Sequence, residues 1–478
     1  MDKEIVFKGE WFLPNNINNK VKGILTFKPS VRYSTLEIFG SFYEYQDLYN
    51  IDLILGNTFD GAEITLYKCY VKNLRSVPRS AEYDFRKNNP KVQPSCIYEL
   101  EYIFDGVHIA NIDELLFQKI SVEIFNLPEW VGIHGFGNYN HDFANEEGLK
   151  IECNYYEPKP IDFQITESLN GTFNFLSSTS SISRFQKECR ISQITYLTLT
   201  SIKYLSLFEI LDYIYKFQNF LVISLYTPIS PISIELSSDR FFDNVTDGRG
   251  EHIELPKQIN LYYSQRKKNN DIPKTNFEML FTYEDIKLQF PFVISKWFEK
   301  YELLKPTFNL IFYQFYLNEH VIDVLFLNLA QAAESFHYLL NIENNKTLPT
   351  KEFDRRKKII KDSILDKEIY DWVSKQLYNK LTLDARLKAL FSDYAIPPIV
   401  LKFIGDSDLF IKQFKSSRNY YTHFNPKEKD KALHGADLVE LYKKLQLLLI
   451  SVILIEVGFE ERLLNNFFTY KSSRVFHI

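Results

Sequence analysis

The sequence predicts an α+β multidomain chain, with a β-rich, sandwich-like N-terminal region followed by an all-α helical bundle. Three observations carry this. The 478 residues are more than one hydrophobic core organises. Residues 1 to 160 are dominated by short apolar–polar alternations, and from residue 291 the period becomes helical. The apolar fraction of 45% and charged fraction of 24% are those of a globular protein. Its 41 Phe and 31 Tyr can fill large cores or line binding surfaces.

Five runs read as early strands: GILTFKP, STLEIFGSF, EITLYKCYV, CIYELEYIF and KISVEIFNL. Turn-prone stretches separate them, at residues 14–19, 57–61, 86–95 and 145–148. This pattern suits an antiparallel sandwich or an open barrel, with Trp11 and Trp130 in its core or at its rim. From 161 to 285, DFQITE, ISQITYLTLTS, ISIELSS and QINLYYS read as strands. Residues 203–225 have the spacing of one helix, and 264–274 read as a loop. Residues 1–290 are expected to form one region, with a subdivision near 160. Residues 291–478 are expected to form the bundle, with helical segments at 293–316, 321–342, 350–364, 367–381, 382–394, 408–424 and 436–459. Gly458 is a natural stop for the last.

The net charge of -5 leaves nucleic-acid binding to local basic clusters. Cys69, Cys96, Cys153 and Cys189 lie far apart, with no C-x-x-C pair, which fits a reducing compartment and no zinc site. The first residues lack the pattern of a signal peptide. Leu445 to Phe459 is apolar but too short to span a bilayer, so it reads as a buried helix. A cytoplasmic protein with no membrane partner is expected. No P-loop, G-x-G-x-x-G or G-x-S-x-G is present, His320 and His434 stand apart, and neither a cofactor nor a metal is expected.

One stretch carries the parts of a reaction: Arg418-Asn419-Tyr420-Tyr421-Thr422-His423, ahead of Asn425-Pro426. In a helix, Asn419 and His423 lie about 40° apart and share a face, with Arg418 on the flank. Histidine moves protons near neutral pH, and arginine grips phosphate oxygens with a planar fork. Together they suit metal-independent RNA cleavage through the ribose 2′-OH. One histidine does not readily serve as both base and acid, so a second copy from a partner chain is useful. The same residues also suit a plain helix end, where cations are favourable anyway.

Glu334, set in AQAAES, is placed to pair with Arg418 or orient His423, and His337 on the same face reads as structural. Candidate RNA-binding residues are Arg355 and Arg356 (followed by Lys357, Lys358 and Lys361), then Lys412, Lys415 and Lys427, with Lys429 and Lys431 beyond. Tyr420 and Tyr421 are candidates for stacking on an unpaired base.

The helical series from Trp297, with SSRNYYTHF before a final apolar helix, resembles the HEPN superfamily and its R-x4-6-H motif. Arg418, Asn419 and His423 match that motif. The wider layout, GEWFLP and LPEW in a β-rich region and then SKWFEKY opening the bundle, resembles the ApeA family of abortive-infection proteins. The resemblance implies bacterial anti-phage defence by an RNase acting as a homodimer or higher homo-oligomer, with transfer RNA a frequent substrate. The N-terminal region would sense a phage-derived trigger or restrain the nuclease. Two other readings are a non-catalytic RNA- or protein-binding adaptor and a ligand-binding β module on a helical scaffold. An exposed aromatic platform would favour the last, and buried Trp11 and Trp130 would weaken it.

Overall fold

The computed structural model describes residues 4–42, 50–75, 95–142, 150–180, 189–246, 252–265, 272–317, 321–342 and 345–476. The turns expected at 86–94 and 145–148, part of the 264–274 loop, and His320 lie outside them. The chain divides into two compact units. One comprises Met1–Leu221, Pro228–Asn276 and Thr282–Glu284, and the other Val222–Thr227, Phe277–Phe281 and Asp285–Ile478.

The first unit is β-rich. Its first six strands are β1 (Ile5–Leu13), β2 (Asn16–Phe27), β3 (Ser34–Ile38), β4 (Ile51–Thr58), β5 (Glu63–Arg75) and β6 (Ser95–Asp105). Then come β7 (Leu116–Ile124), the hairpin β8 (Phe136–Asp142) with β9 (Lys150–Tyr155), β10 (Ile161–Thr166), β11 (Leu169–Thr179) and β12 (Ile191–Ser206). The last are β13 (Pro231–Ser237), the hairpin β14 (Phe242–Thr246) with β15 (His252–Pro256), and β16 (Ile259–Tyr263). Twelve of these make one antiparallel sheet in the order β10-β11-β12-β7-β13-β16-β6-β3-β2-β1-β4-β5. β5 also pairs with β6, so the first six strands close on themselves. Closure hides edge backbone that would otherwise be unpaired.

Alternation explains the core. β3 reads buried–half-buried along Ser34–Ile38, with Leu36 and Ile38 fully inside. Trp11 is 0% exposed, and its ring packs against Gly56, where a Cβ would come within 2.3 Å of it. Trp130, on α1 (Leu127–Val131), is equally buried and packs edge-on against Phe173 and Phe220.

Two element boundaries in this unit differ from those expected. Asn16–Asn19 belong to β2, because a two-residue turn at Pro14–Asn15 suffices. The helix expected over 203–225 is α2 (Leu207–Leu225), and Lys203–Ser206 end β12. Ser206 and Glu209 form a reciprocal cap: the Ser206 amide and hydroxyl donate to the Glu209 carboxylate at 2.8 and 2.7 Å, fixing the start.

α3 (Tyr283–Ile286) precedes the bundle of the second unit. The bundle comprises α4 (Phe290–Tyr313), α5 (Ile322–Leu340), α6 (Thr350–Ser363), α7 (Lys367–Ser374), α8 (Leu383–Ser392), α9 (Pro398–Ile404), α10 (Ser407–His423), α11 (Pro426–Lys429), α12 (Gly435–Glu456) and α13 (Glu461–Val475). α5 is central and packs against α4, α8, α10 and α12. Ala330, Ala332 and Ala333 keep its face narrow enough for these neighbours. α4 adds the ring cluster Trp297, Tyr301, Phe308 and Phe312. α12 buries Leu445 through Leu454, and Gly458 follows it at φ +91°. α7 stops at Ser374 rather than 381, because the following chain is pinned elsewhere: Asn379 bonds both backbone groups of Leu348. Among the described residues, no helix is long and apolar enough to cross a membrane.

Candidate active site on the tenth helix

α10 begins where the Asp406 side chain accepts the Leu409 amide at 2.9 Å. Its inner stripe is Phe410, Ile411, Phe414, Ser417 and Tyr421, all buried. Phe326 of α5 packs edge-on against Phe414 and Tyr421. The helix ends at His423, where Phe424 takes left-handed angles (φ 48°, ψ 36°) and Asn425 caps α11. A non-glycine residue in that region is held there by its surroundings.

This packing fixes which residues face outward. Lys412, Lys415, Asn419 and His423 stand at i, i+3, i+7 and i+11, a stripe about 80° wide opposite the buried one. Asn419 is half-buried, and the other three are exposed. His423 makes no hydrogen bond or ion pair among the described residues. It stands in the last turn, where the helix dipole favours a cation.

Arg418 sits at the border of the two stripes and turns toward α5. Its Nε donates to Glu334 Oε1 at 2.9 Å, and Nη2 reaches Oε2 at 3.5 Å. Both side chains are sheltered, at 28% and 21% exposure. Nη1 points at Asn419 Oδ1, 3.5 Å away. Of five guanidinium N–H donors, three are so engaged, leaving two for an anion. Glu334 therefore joins Arg418 across two helices and does not touch His423.

Other candidates are placed differently. Tyr421 offers no open ring for stacking. It is buried, and its hydroxyl lies 3.0 Å from Leu433 O and 2.8 Å from His434 Nδ1. Burial and the nearby Asp323 push its phenol pKa up. Tyr420 is half-buried, with ring contacts to Tyr421, Phe424 and His434. His434 is thus not isolated: it clamps the end of α10, with Nε2 3.0 Å from Lys429 O. His337 is buried, and burial together with Arg386 lowers its pKa against the pull of Asp393. Lys427 is exposed on α11. Arg355 and Arg356 are on α6, away from the α10 stripe in sequence, and both bond Glu352. Among the described residues, no group of three His, Cys, Asp or Glu is arranged to hold a metal.

Residues 6–297 match ApeA N-terminal domain 1. The chain belongs to the ApeA family. Residues 327–463 match the Apea-like HEPN domain, and Glu334, Arg418, Asn419 and His423 all fall inside that match. The protein is accordingly of the abortive-infection defence class and carries a HEPN domain of nuclease type. No curated protein and no solved structure matches the chain.

Proposed function

We propose that the HEPN domain is a metal-independent endoribonuclease that cuts cellular RNA, with transfer RNA the favoured class, and that it acts as a homodimer or higher homo-oligomer in the cytoplasm. The observation that carries this is the Arg418–Glu334 pair, which joins α10 to α5, with an exposed His423 five residues further along α10. Glu334 holds the guanidinium while two of its donors remain free for the scissile phosphate. In one protomer His423 takes the proton of the 2′-OH as O2′ attacks phosphorus. The leaving 5′-oxygen then takes a proton from a second His423, supplied by the partner subunit. Arg418 stabilises the charge that builds on the phosphate oxygens, and Asn419 orients the site. Lys412 and Lys415 extend the same face and track the backbone.

The β-rich region, placed at 1–290 with the nuclease at 291–478, is assigned to sensing a phage-derived trigger or restraining the nuclease, since an unrestrained RNase is toxic to its host. A ligand site built on an aromatic platform is disfavoured, because Trp11 and Trp130 are both fully buried.

The reaction predicts its products. Purified protein should cut RNA in EDTA and leave 2′,3′-cyclic phosphate and 5′-hydroxyl ends. Strict dependence on added divalent metal, or 3′-hydroxyl ends, would sink these roles.

A further inference from the structure

Residues 349–378 leave the bundle and return to it. Their two ends are pinned together: Leu348 N donates to Asn379 Oδ1 and Asn379 Nδ2 to Leu348 O, both at 2.9 Å, and Thr347 Oγ1 donates to Lys380 O at 2.8 Å. Between these ends run α6 and α7, neither of which has a buried residue. The segment is a stalked helical arm.

Its outer surface has a particular chemistry. On α6, Lys351, Arg355, Lys358 and Lys361 project within an arc of about 120°, away from the side carrying Phe353 and Ile360. From 350 to 378 there are eight Lys and Arg against six Asp and Glu, a net of +2 on a chain of net -5. On α7, Trp372 is 67% exposed, and beyond it Tyr378 is 68% exposed. Lys375 follows Trp372 by three residues, on the same flank. Two open aromatic rings interleaved with cations fit a single nucleic-acid strand, whose bases stack on rings and whose phosphates take the charges.

We infer that this arm is an RNA-gripping element of the HEPN domain, stacking an unpaired base on Trp372 while the α6 cations hold the backbone. It rests on the reading of the domain as acting on RNA, and it adds a binding site distant in sequence from Arg418–His423. A second copy of the chain is the competing occupant, since Leu365 and Ile369 are also exposed here. The charge balance favours RNA.

The chain carries its own probe. Of its four tryptophans, Trp11, Trp130 and Trp297 are 0% exposed, so emission that acrylamide can reach comes from Trp372. Full-length His423→Ala protein, which should not cut the probe, is titrated with a short single-stranded oligouridylate while tryptophan emission is read. The arm predicts a quench that tracks binding, weakens as salt rises and vanishes in Trp372→Phe, with Trp372→Ala binding about tenfold more weakly. Circular dichroism should not change, because the residue is exposed. Binding without any Trp372 response would overturn the arm. So would a blue shift that depends on protein concentration and ignores RNA, which would make the arm an interface between copies. Cleavage by wild type, measured in parallel, separates the two claims: cutting without a Trp372 response removes only the arm, and a Trp372 response without cutting removes only the nuclease.

Discussion

α6 and α10 each present an arginine that grips a glutamate, and the two pairs differ in what they restrain. Arg355 holds Glu352 at 2.7 Å through both Nε and Nη2, and Arg356 adds a third bond at 2.8 Å. Those bonds hold the Glu352 carboxyl down to about 2. The Arg418–Glu334 pair is looser, at 2.9 and 3.5 Å. Yet the α6 cluster is local, three and four residues apart on one exposed helix, where solvent and salt screen it. Arg418 and Glu334 are 84 residues apart, on two helices whose packing is fixed by Phe326, Phe414 and Tyr421. The shorter bonds belong to the pair that positions less. What marks the pair on α10 is long-range restraint on a cation, on a helix whose His423 is exposed.

This comparison can be broken by removing each glutamate in turn. The largest effect is expected for Glu334→Ala. It leaves a sheltered guanidinium without its partner and should cost about 1–2 kcal/mol of stability, at the low end of the range for leaving a buried polar group unsatisfied. It should also lower cleavage at least ~10-fold by releasing Arg418 from its geometry. Denaturant melts and initial rates on the purified variant measure both, and an unchanged rate would detach Glu334 from the site. Glu352→Ala marks the small end, with no measurable change in the unfolding midpoint at neutral pH and moderate salt. Any stabilisation from Glu352 is present above the ordinary glutamate value of 4.5 and is lost as pH falls toward about 2, because the folded state holds the carboxylate deprotonated. A clear loss at neutral pH would show that the α6 cluster is structural after all.

Much of this was legible in residues. Alternation in STLEI and SVEI predicts the strands that became β3 and β7, and the pattern of DLFIKQFKSSRNYYTHF predicts the helix that became α10. A carboxylate among alanines at Glu334 is a visible signal that a cation must meet it. The closure of β5 onto β6 was not legible, because register depends on partners far along the chain. The β8–β9 and β14–β15 hairpins were missed for a different reason: with every residue of β14 exposed, that strand has no buried face to imprint a pattern. The start of α2 could have been found from Ser206-x-x-Glu209, which is a capping box in plain sight. Tyr421 and Trp372 show the limit most clearly. Tyr421 reads as a candidate for stacking and Trp372 only as part of a helical segment, and only packing decides that the first is buried against Phe326 and the second stands in solvent.

The central claim, that Arg418 and His423 form half of a composite RNA-cutting site, is tested most directly inside cells. RNA ends bearing 2′,3′-cyclic phosphate are sequenced after induction of wild type and of His423→Ala. The account predicts discrete new ends in wild type, concentrated in transfer RNA, and none in the variant, with both proteins present at equal levels. The same ends in both strains would contradict it.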